Sequence, residues 1–160
     1  MTSVLVALLA LAAQSKNPEY DHWAHCKVGS WTKLKAEGDG QGQKVTMDST
    51  HTLLELTEEK AVVERKQKRI VAGKEEPEES EMAPVPSGND PDPIKVEKQG
   101  DEEIEVAGKK LKCRWVEGTQ GEMKVKMWLS QEIPGGIARG EMSVPGAMTL
   151  KLAATSWEKK

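Results

Sequence analysis

The sequence predicts a mainly β protein: an antiparallel meander of about seven to nine strands forming a strongly curled sheet or half-open barrel. Apolar and charged residues alternate along much of the chain, which is the period of a half-buried strand. Turn signals rich in glycine separate these runs. No segment after residue 15 has a clear helical period, so no covering helix is expected and the sheet must curl on itself.

The start of the chain predicts a signal peptide over residues 1–15. Residues 4–13 are an unbroken run of ten small or aliphatic residues, the length of a secretory hydrophobic region and too short to span a bilayer. The alternative is a buried N-terminal strand or helix. We expect an exported protein, periplasmic or secreted and not membrane-spanning, with residues 16–160 forming a single β domain.

The first half of that domain begins with two strands. Cys26, Val28 and Leu34 lie in phase, and residues 45–53 form a long second strand whose phase slips at Leu54, which indicates a bulge. Residues 58–72 fit either a helix or a third strand, and we favour the strand.

Residues 73–93 predict a flexible acidic, proline-rich loop. The segment holds seven acidic residues, five prolines and one lysine, too few apolar groups to offset the entropy of ordering it. A basic cluster at residues 65–69 precedes it. The loop is therefore a solvated segment, a lure for a basic partner, or a partner of that cluster.

The second half is strongly β. Residues 103–115 read as a hairpin with one apolar and one charged face, and further strands follow at residues 123–130, 137–142 and 148–154. Between the first two of these lies the sequence IPGG at residues 133–136. A phosphate-binding loop leads into a helix, whereas this one joins two strands, so we predict a reversal at the rim of the sheet.

No feature of the sequence favours catalysis or nucleic-acid binding. The net charge is −3, whereas a nucleic-acid binder is usually basic. Nucleophile, phosphate-loop and paired cysteine–histidine motifs are missing, and His51 shares a strand face with apolar residues, as a core histidine does. We expect no enzyme activity, no catalytic residue and no cofactor.

The cysteines and histidines leave two questions open. Cys26 and Cys113 either form a disulfide, as an oxidising compartment permits, or remain two buried thiols. His22, His25 and Cys26 belong to the densest cluster of possible metal ligands, which His51 and Cys113 could join, but their spacing matches no established motif, so we expect no metal site.

The apolar strand faces are the remaining candidate for a site. If the curled sheet is not filled by its own side chains, its concave face becomes a groove, and methionine suits adaptable apolar surfaces. The candidate lining residues are Met47, Leu53, Trp115, Met123, Val125, Met127, Leu150 and Leu152. The alternative is a closed core in which methionine fills gaps.

The chain also resembles known proteins in layout. It has KVGSW at residues 27–31, a long meander, and KMWLS at residues 126–130 before IPGG. In this it resembles uncharacterised exported bacterial proteins of the kind found in planctomycete genomes. It is distantly similar in layout to the periplasmic lipoprotein carriers and related lipid-binding half-barrels, which close their barrel with helices.

Three functional hypotheses follow. The first is a non-enzymatic binding protein whose apolar groove takes a lipid, a lipoprotein or another hydrophobic ligand, which the resemblance also implies. The second is a protein–protein interaction module of the cell envelope. The third is a metal-binding protein that uses the N-terminal histidine and cysteine cluster.

Overall fold

The computed structural model describes residues 17–160, which form one ten-stranded sheet and a short helix. The predicted signal peptide, residues 1–15, lies outside the described residues. The helix α1 spans Pro18–Ala24. The strands are β1 (Trp31–Gly40), β2 (Gln43–Leu56), β3 (Lys60–Val71), β4 (Lys74–Glu75), β5 (Glu79–Pro86), β6 (Lys95–Val106), β7 (Lys109–Gln120), β8 (Met123–Leu129), β9 (Ile137–Val144) and β10 (Met148–Glu158).

The strands form an antiparallel meander in the order β4-β3-β2-β1-β10-β9-β8-β7-β6, and β5 also pairs with β3. The last strand, β10, returns to the middle of the sheet and pairs with the first, β1, so the two halves of the chain share one sheet. Within residues 17–160, β6 pairs with β7 alone, and the sheet does not close into a barrel. The predicted fold class is confirmed.

The ambiguous segment at residues 58–72 is a strand. It forms most of β3, which pairs with β2 from Ala61 to Val71. Thr57 starts the preceding turn, where its hydroxyl oxygen accepts hydrogen bonds from the backbone N–H groups of Glu59 and Lys60. The register of β2 shifts between Leu53 and Glu55, which confirms the predicted bulge.

Part of the acidic segment at residues 73–93 is ordered as strand. Residues Glu79–Pro86 pair with β3, the strand that carries the basic cluster at residues 65–69. Of the three alternatives for the acidic segment, this pairing corresponds to the one in which it contacts that cluster. Arg69 lies 3.2 Å from Glu79, and Lys68 lies 3.0 Å from Glu75. Opposite charges on neighbouring strands stabilise such pairs, and Pro84, which lacks an N–H, is accommodated in a strand with one free edge.

The helix α1 was not expected. Asn17 caps it, because the side-chain oxygen accepts from the N–H of Glu19, and Pro18 occupies the first turn. Acidic residues in the first turn also favour a helix start. The expectation that no helix covers the sheet was wrong, because seven residues are too short to show a helical period.

The core has two clusters, one in each part of the sheet. In the first, Trp23 of α1 packs with Leu53, Val63 and Val85 of the first half. The second is built mainly from the strands of the second half, and its buried members are Leu34, Ile104, Val106, Leu111, Cys113, Trp128, Ile133, Ala138 and Ala154.

The two cysteines lie in different clusters. Cys26 is 5% exposed in the cluster beneath α1, and Cys113 is 4% exposed in the other. Both are free thiols. Of the two alternatives left by the sequence, the structure therefore has buried thiols rather than the disulfide, because separate elements carry the cysteines into separate clusters.

The β6 end of the sheet curls back toward the centre. Arg139 of β9 donates to the backbone oxygen of Glu105 of β6 at 3.2 Å, and Lys109 lies 4.9 Å from the ring centroid of Trp157 of β10. Bulges between Lys33 and Leu34 and beside Trp128 increase the local twist. The curl gives the sheet a hollow side.

The described part of the chain contains no helix with the length and apolar character needed to cross a lipid bilayer.

Candidate functional site

An open groove of about 1290 Å³ runs over one face of β6, β7 and β8. The first turn of α1 and the loop at residues 130–136 wall it on one side, and residues 90–96 border it on the other. We call the side of the sheet that bears Val116 and Met127 the groove face, and the side that bears Trp115 and Trp128 the opposite face.

The floor of the groove is apolar. Val116 of β7 is the register partner of Met127 of β8, and Leu129 of β8 is the partner of Ile137 of β9. Register partners place their side chains about 5 Å apart on one face. These four half-buried residues therefore form a continuous apolar patch that the chain leaves partly open.

Charged residues surround this floor, and carboxylates dominate them. The lining includes the acidic residues Glu19, Asp21, Asp90, Asp101, Glu102, Glu103 and Glu132, and the basic residues Lys110, Lys112 and Arg114. A cleft lined mostly by one sign of charge concentrates ligands of the other sign. The groove thus favours a cationic ligand with apolar groups.

An arginine helps to hold the α1 wall against the sheet. Arg65 of β3 donates to Glu19 of α1 at 2.5 Å and lies 3.9 Å from Glu81 of β5. His51 of β2 is the register partner of Arg65. Burial first, and the positive charge of Arg65 second, lower the pKa of His51 to about 4, so the imidazole is neutral at pH 7.

The IPGG loop packs against α1. Gly135 and Gly136 have φ of 78° and 86°, and a Cβ on Gly136 would lie 2.4 Å from Cγ of His22. The N–H of Ser130 donates to the oxygen of Gly136 at 2.8 Å, which closes the reversal from β8 to β9. The glycines therefore support the helix wall of the groove, and the prediction of a strand reversal is confirmed.

His22 is the histidine that lines the groove. Burial lowers its pKa, although the neighbouring Asp21 opposes that effect, and its Nδ1 is buried without a hydrogen-bond partner among the described residues. Cys26, one turn further, donates its thiol to the backbone oxygen of His22 at 3.4 Å, while His25 is exposed.

These residues do not form a metal-ligand set. Between residues 17 and 160, no three histidine, cysteine or carboxylate side chains converge as metal ligands would. Burial raises the pKa of the Cys26 thiol, which disfavours the thiolate form in the structure as it stands.

The predicted groove residues occupy four kinds of position. Met127 lines the groove. Leu53 and Val125 are buried, at 0% and 3% exposure. Trp115 is half-buried on the opposite face. Register places the other four, which are half-buried, on the groove face but not in the lining: Met47, Met123, Leu150 and Leu152.

Sequence reasoning missed much of the lining because the side of the sheet that is packed changes along β7. Leu111 and Cys113 are buried on the opposite face, whereas Val116, three residues after Cys113, contributes to the groove face. The charged residues Lys112 and Arg114, predicted to be simply solvated, line the groove. The sequence contains one signal of this change: the apolar residues of β7 occupy one face up to Trp115, and the next apolar residue, Val116, falls on the other face.

Fold and site together define a class: a curled, open antiparallel β sheet with one amphipathic groove. No protein-family model matches the chain, and no curated protein is detectably similar to it. Among solved structures it is similar to MucB, with 11% identity and a TM-score of 0.44 over 88% of this chain and 57% of that one. It is also similar to MucB in complex with MucA(peri), with 11% identity and a TM-score of 0.41 over 89% and 55%.

The chain thus spans little more than half the length of the solved chains it matches. At 11% identity and TM-scores of 0.44 and 0.41, such a likeness assigns neither a partner nor an activity.

Proposed function

We propose that this chain is a non-enzymatic, exported interaction module of the cell envelope that binds a segment of another protein in its groove. The observation that supports the proposal best is the groove itself. Its apolar floor, centred on Val116 and Met127, lies between a charged rim and the unpaired edge of β6. A polypeptide segment can bind to each of these features: its apolar side chains to the floor, its charged side chains to the rim, and its backbone hydrogen-bonding groups to the edge.

The lining favours a polypeptide over a lipid. A lipid pocket buries most of an acyl chain's surface, whereas this groove is open and its apolar floor is flanked by seven carboxylates, among them Asp101 and Glu103. Those carboxylates would also repel anionic lipid headgroups. The lipid hypothesis remains the second candidate, because the apolar patch that includes Leu129 and Ile137 is open.

One experiment compares the two ligands directly. The purified protein is incubated with an array of short peptides of varied sequence and, separately, with a mixed phospholipid extract followed by native mass spectrometry. We expect a subset of peptides to bind and no lipid to be retained. Retained lipid together with no peptide above background would reverse the choice.

Two matched variants locate the binding. Met127→Glu places a charge on the groove floor, and Met82→Glu makes the same change at a methionine that is 61% exposed on β5, outside the groove. Met127→Glu should abolish peptide binding, and Met82→Glu should leave it unchanged. Equal loss in both would exclude the groove.

A photo-crosslinking residue provides a test that does not depend on a core substitution. At Gln131, which is exposed on the groove wall, it should join to a bound peptide. At Lys35, which is exposed on the opposite face, it should not. Crosslinking at Lys35 alone would place the interaction on the other side of the sheet.

A further inference from the structure

The outer edge of β6 carries free backbone groups at known positions. Ala107 and Gly108, with φ of 51° and 77°, form the two-residue turn between β6 and β7. Two positive φ values are the signature of a type I′ turn, so the flanking residues Val106 and Lys109 form a hydrogen-bonded pair. Hydrogen-bonded and non-hydrogen-bonded pairs alternate along an antiparallel ladder.

The alternation assigns the outward positions. Counting back from Val106, the residues whose N–H and C=O point away from β7 are Glu105, Glu103 and Asp101. Arg139 supports this count, because it reaches the Glu105 oxygen from outside the β6–β7 pair at 3.2 Å. That contact covers the Glu105 end, and the edge at Asp101 and Glu103 stays unpaired among the described residues.

The side chains at these two positions are carboxylates without an ion-pair partner among the described residues. Asp101 and Glu103 lie on the groove face and line the groove. Neither belongs to any of the seven ion pairs within 4.0 Å in residues 17–160. Their register partners Arg114 and Lys112 lie on the β7 side, and on the outward side Arg139 contacts the edge at Glu105.

The other side of the same edge has an aromatic ring beside Gly100. Gly100 has no side chain, and the Trp115 indole occupies the space beside it: a Cβ on Gly100 would lie 2.9 Å from Trp115 Nε1. Trp115 is half-buried, so part of its ring remains available. An added strand would therefore meet Asp101 and Glu103 on one face. On the other face it would meet the Trp115 indole beside Gly100, and Glu102, whose carboxylate accepts a hydrogen bond from Trp128 Nε1 at 2.8 Å.

We propose that β6 accepts an extended segment of the partner as an additional antiparallel strand, with lysine or arginine at every second position. The basic side chains face Asp101 and Glu103, the residue between them lies opposite Glu102, and the next residue, opposite Gly100, places its apolar side chain beside Trp115. This rests on the proposed function and specifies the partner. A second copy of this chain is disfavoured at this edge, because equivalent carboxylates would oppose each other.

The probe is a blocked, fluorescent peptide of about eight residues in which lysine alternates with valine or threonine. Binding is measured by fluorescence anisotropy. Peptides with glutamate in place of lysine, or with the same composition and contiguous lysines, serve as controls. The alternating peptide alone should bind, and its affinity should fall steeply as salt rises to about 1 M. Equal binding of the contiguous-lysine peptide would show general charge attraction and overturn strand addition.

N-methylation tests the backbone hydrogen bonds directly. In the proposed antiparallel register, the lysines form the hydrogen-bonded pairs with Asp101 and Glu103, so their N–H groups donate to β6. A peptide methylated on the lysine nitrogens should lose binding, whereas methylation on the intervening residues should preserve it. Equal affinity of the two methylated peptides would refute the added strand.

Variants of β6 complete the test. Asp101→Asn with Glu103→Gln keeps side-chain shape and should weaken binding about three- to tenfold. The matched control, Asp39→Asn with Glu141→Gln, alters exposed residues of the opposite face and should change nothing. Glu103→Pro removes an outward N–H and should fold normally but lose the peptide.

The outcomes separate this inference from the proposed function. Loss of array-peptide binding in Met127→Glu with no effect of any β6 variant would leave a peptide groove but reject strand addition. No peptide binding to the unaltered protein would reject both.

Discussion

The imidazole of His22 lies directly against Gly136, where a Cβ would be 2.4 Å from the ring carbon Cγ. The contact fixes the separation of α1 from the β8–β9 loop, and thereby the width of one end of the groove. We expect Gly136→Ala to lower the free energy of unfolding by about 2–4 kcal/mol, because it combines a steric clash with a left-handed φ of 86°.

Gly146→Ala is the control for the conformational part of that loss. Gly146 has a φ of 74°, and nothing lies within 4 Å of a Cβ built on it. Its replacement should cost only about 1 kcal/mol in urea unfolding. Equal losses in the two variants would mean that the clash with His22 contributes nothing.

The Arg65–Glu19 pair should carry measurable coupling. Their side chains are 30% and 39% exposed and 2.5 Å apart, so we expect about 1 kcal/mol from a double-mutant cycle of alanine variants. The cycle for Arg65 and Glu81, which are 3.9 Å apart with Glu81 69% exposed, should give nearly zero. A larger coupling energy with Glu81 than with Glu19 would mean that Arg65 interacts mainly with β5 and does not hold α1.

Stability should fall in mild acid through His51. Its pKa is about 4 in the folded protein against an ordinary 6.5. Between these values the unfolded chain binds a proton that the folded chain does not, so stability is fully present above pH 6.5 and is lost as pH falls toward 4. The free energy of unfolding should therefore decrease less in His51→Gln than in the unaltered protein. Between pH 7 and pH 4.5 the difference should be on the order of 2 kcal/mol in urea titrations. The same pH slope in both proteins would contradict the assignment.

Both cysteines should remain thiols without reductant. We expect Cys26 and Cys113 to resist iodoacetamide in the native protein, since they are buried and burial raises the pKa of each thiol. Both should be alkylated after unfolding, as read by intact mass. An unfolded protein that takes up no label would establish the disulfide.

Local patterns in the sequence determined most of the strands. Alternation placed the second-half strands, a phase slip located the bulge of β2, and the IPGG reversal followed from strands on both sides. These features depend on neighbours a few residues apart, and such information is contained in the local sequence. The short helix α1 was missed, although Asn17 and Pro18 signal its start, and so was β5 at Glu79–Pro86, within the segment predicted to be a loop.

The site depended on tertiary structure. Met127, a predicted groove residue, lines the groove of the structure, whereas Val116, Leu129 and the acidic rim were not foreseen. Alternation states which residues share a face, but it does not state which face a curled sheet turns inward at each point, because twist and bulges accumulate over many strands.

The sequence by itself therefore determined a mainly β chain with defined turns and a basic cluster able to pair with its acidic segment. Only the tertiary structure decided that β10 joins β1, that α1 rests on Gly136, and that Asp101 and Glu103 lie on an unpaired edge beside an apolar floor. Those relationships join residues distant in the chain, and they arise from burial and closure of the whole sheet, which no local pattern encodes.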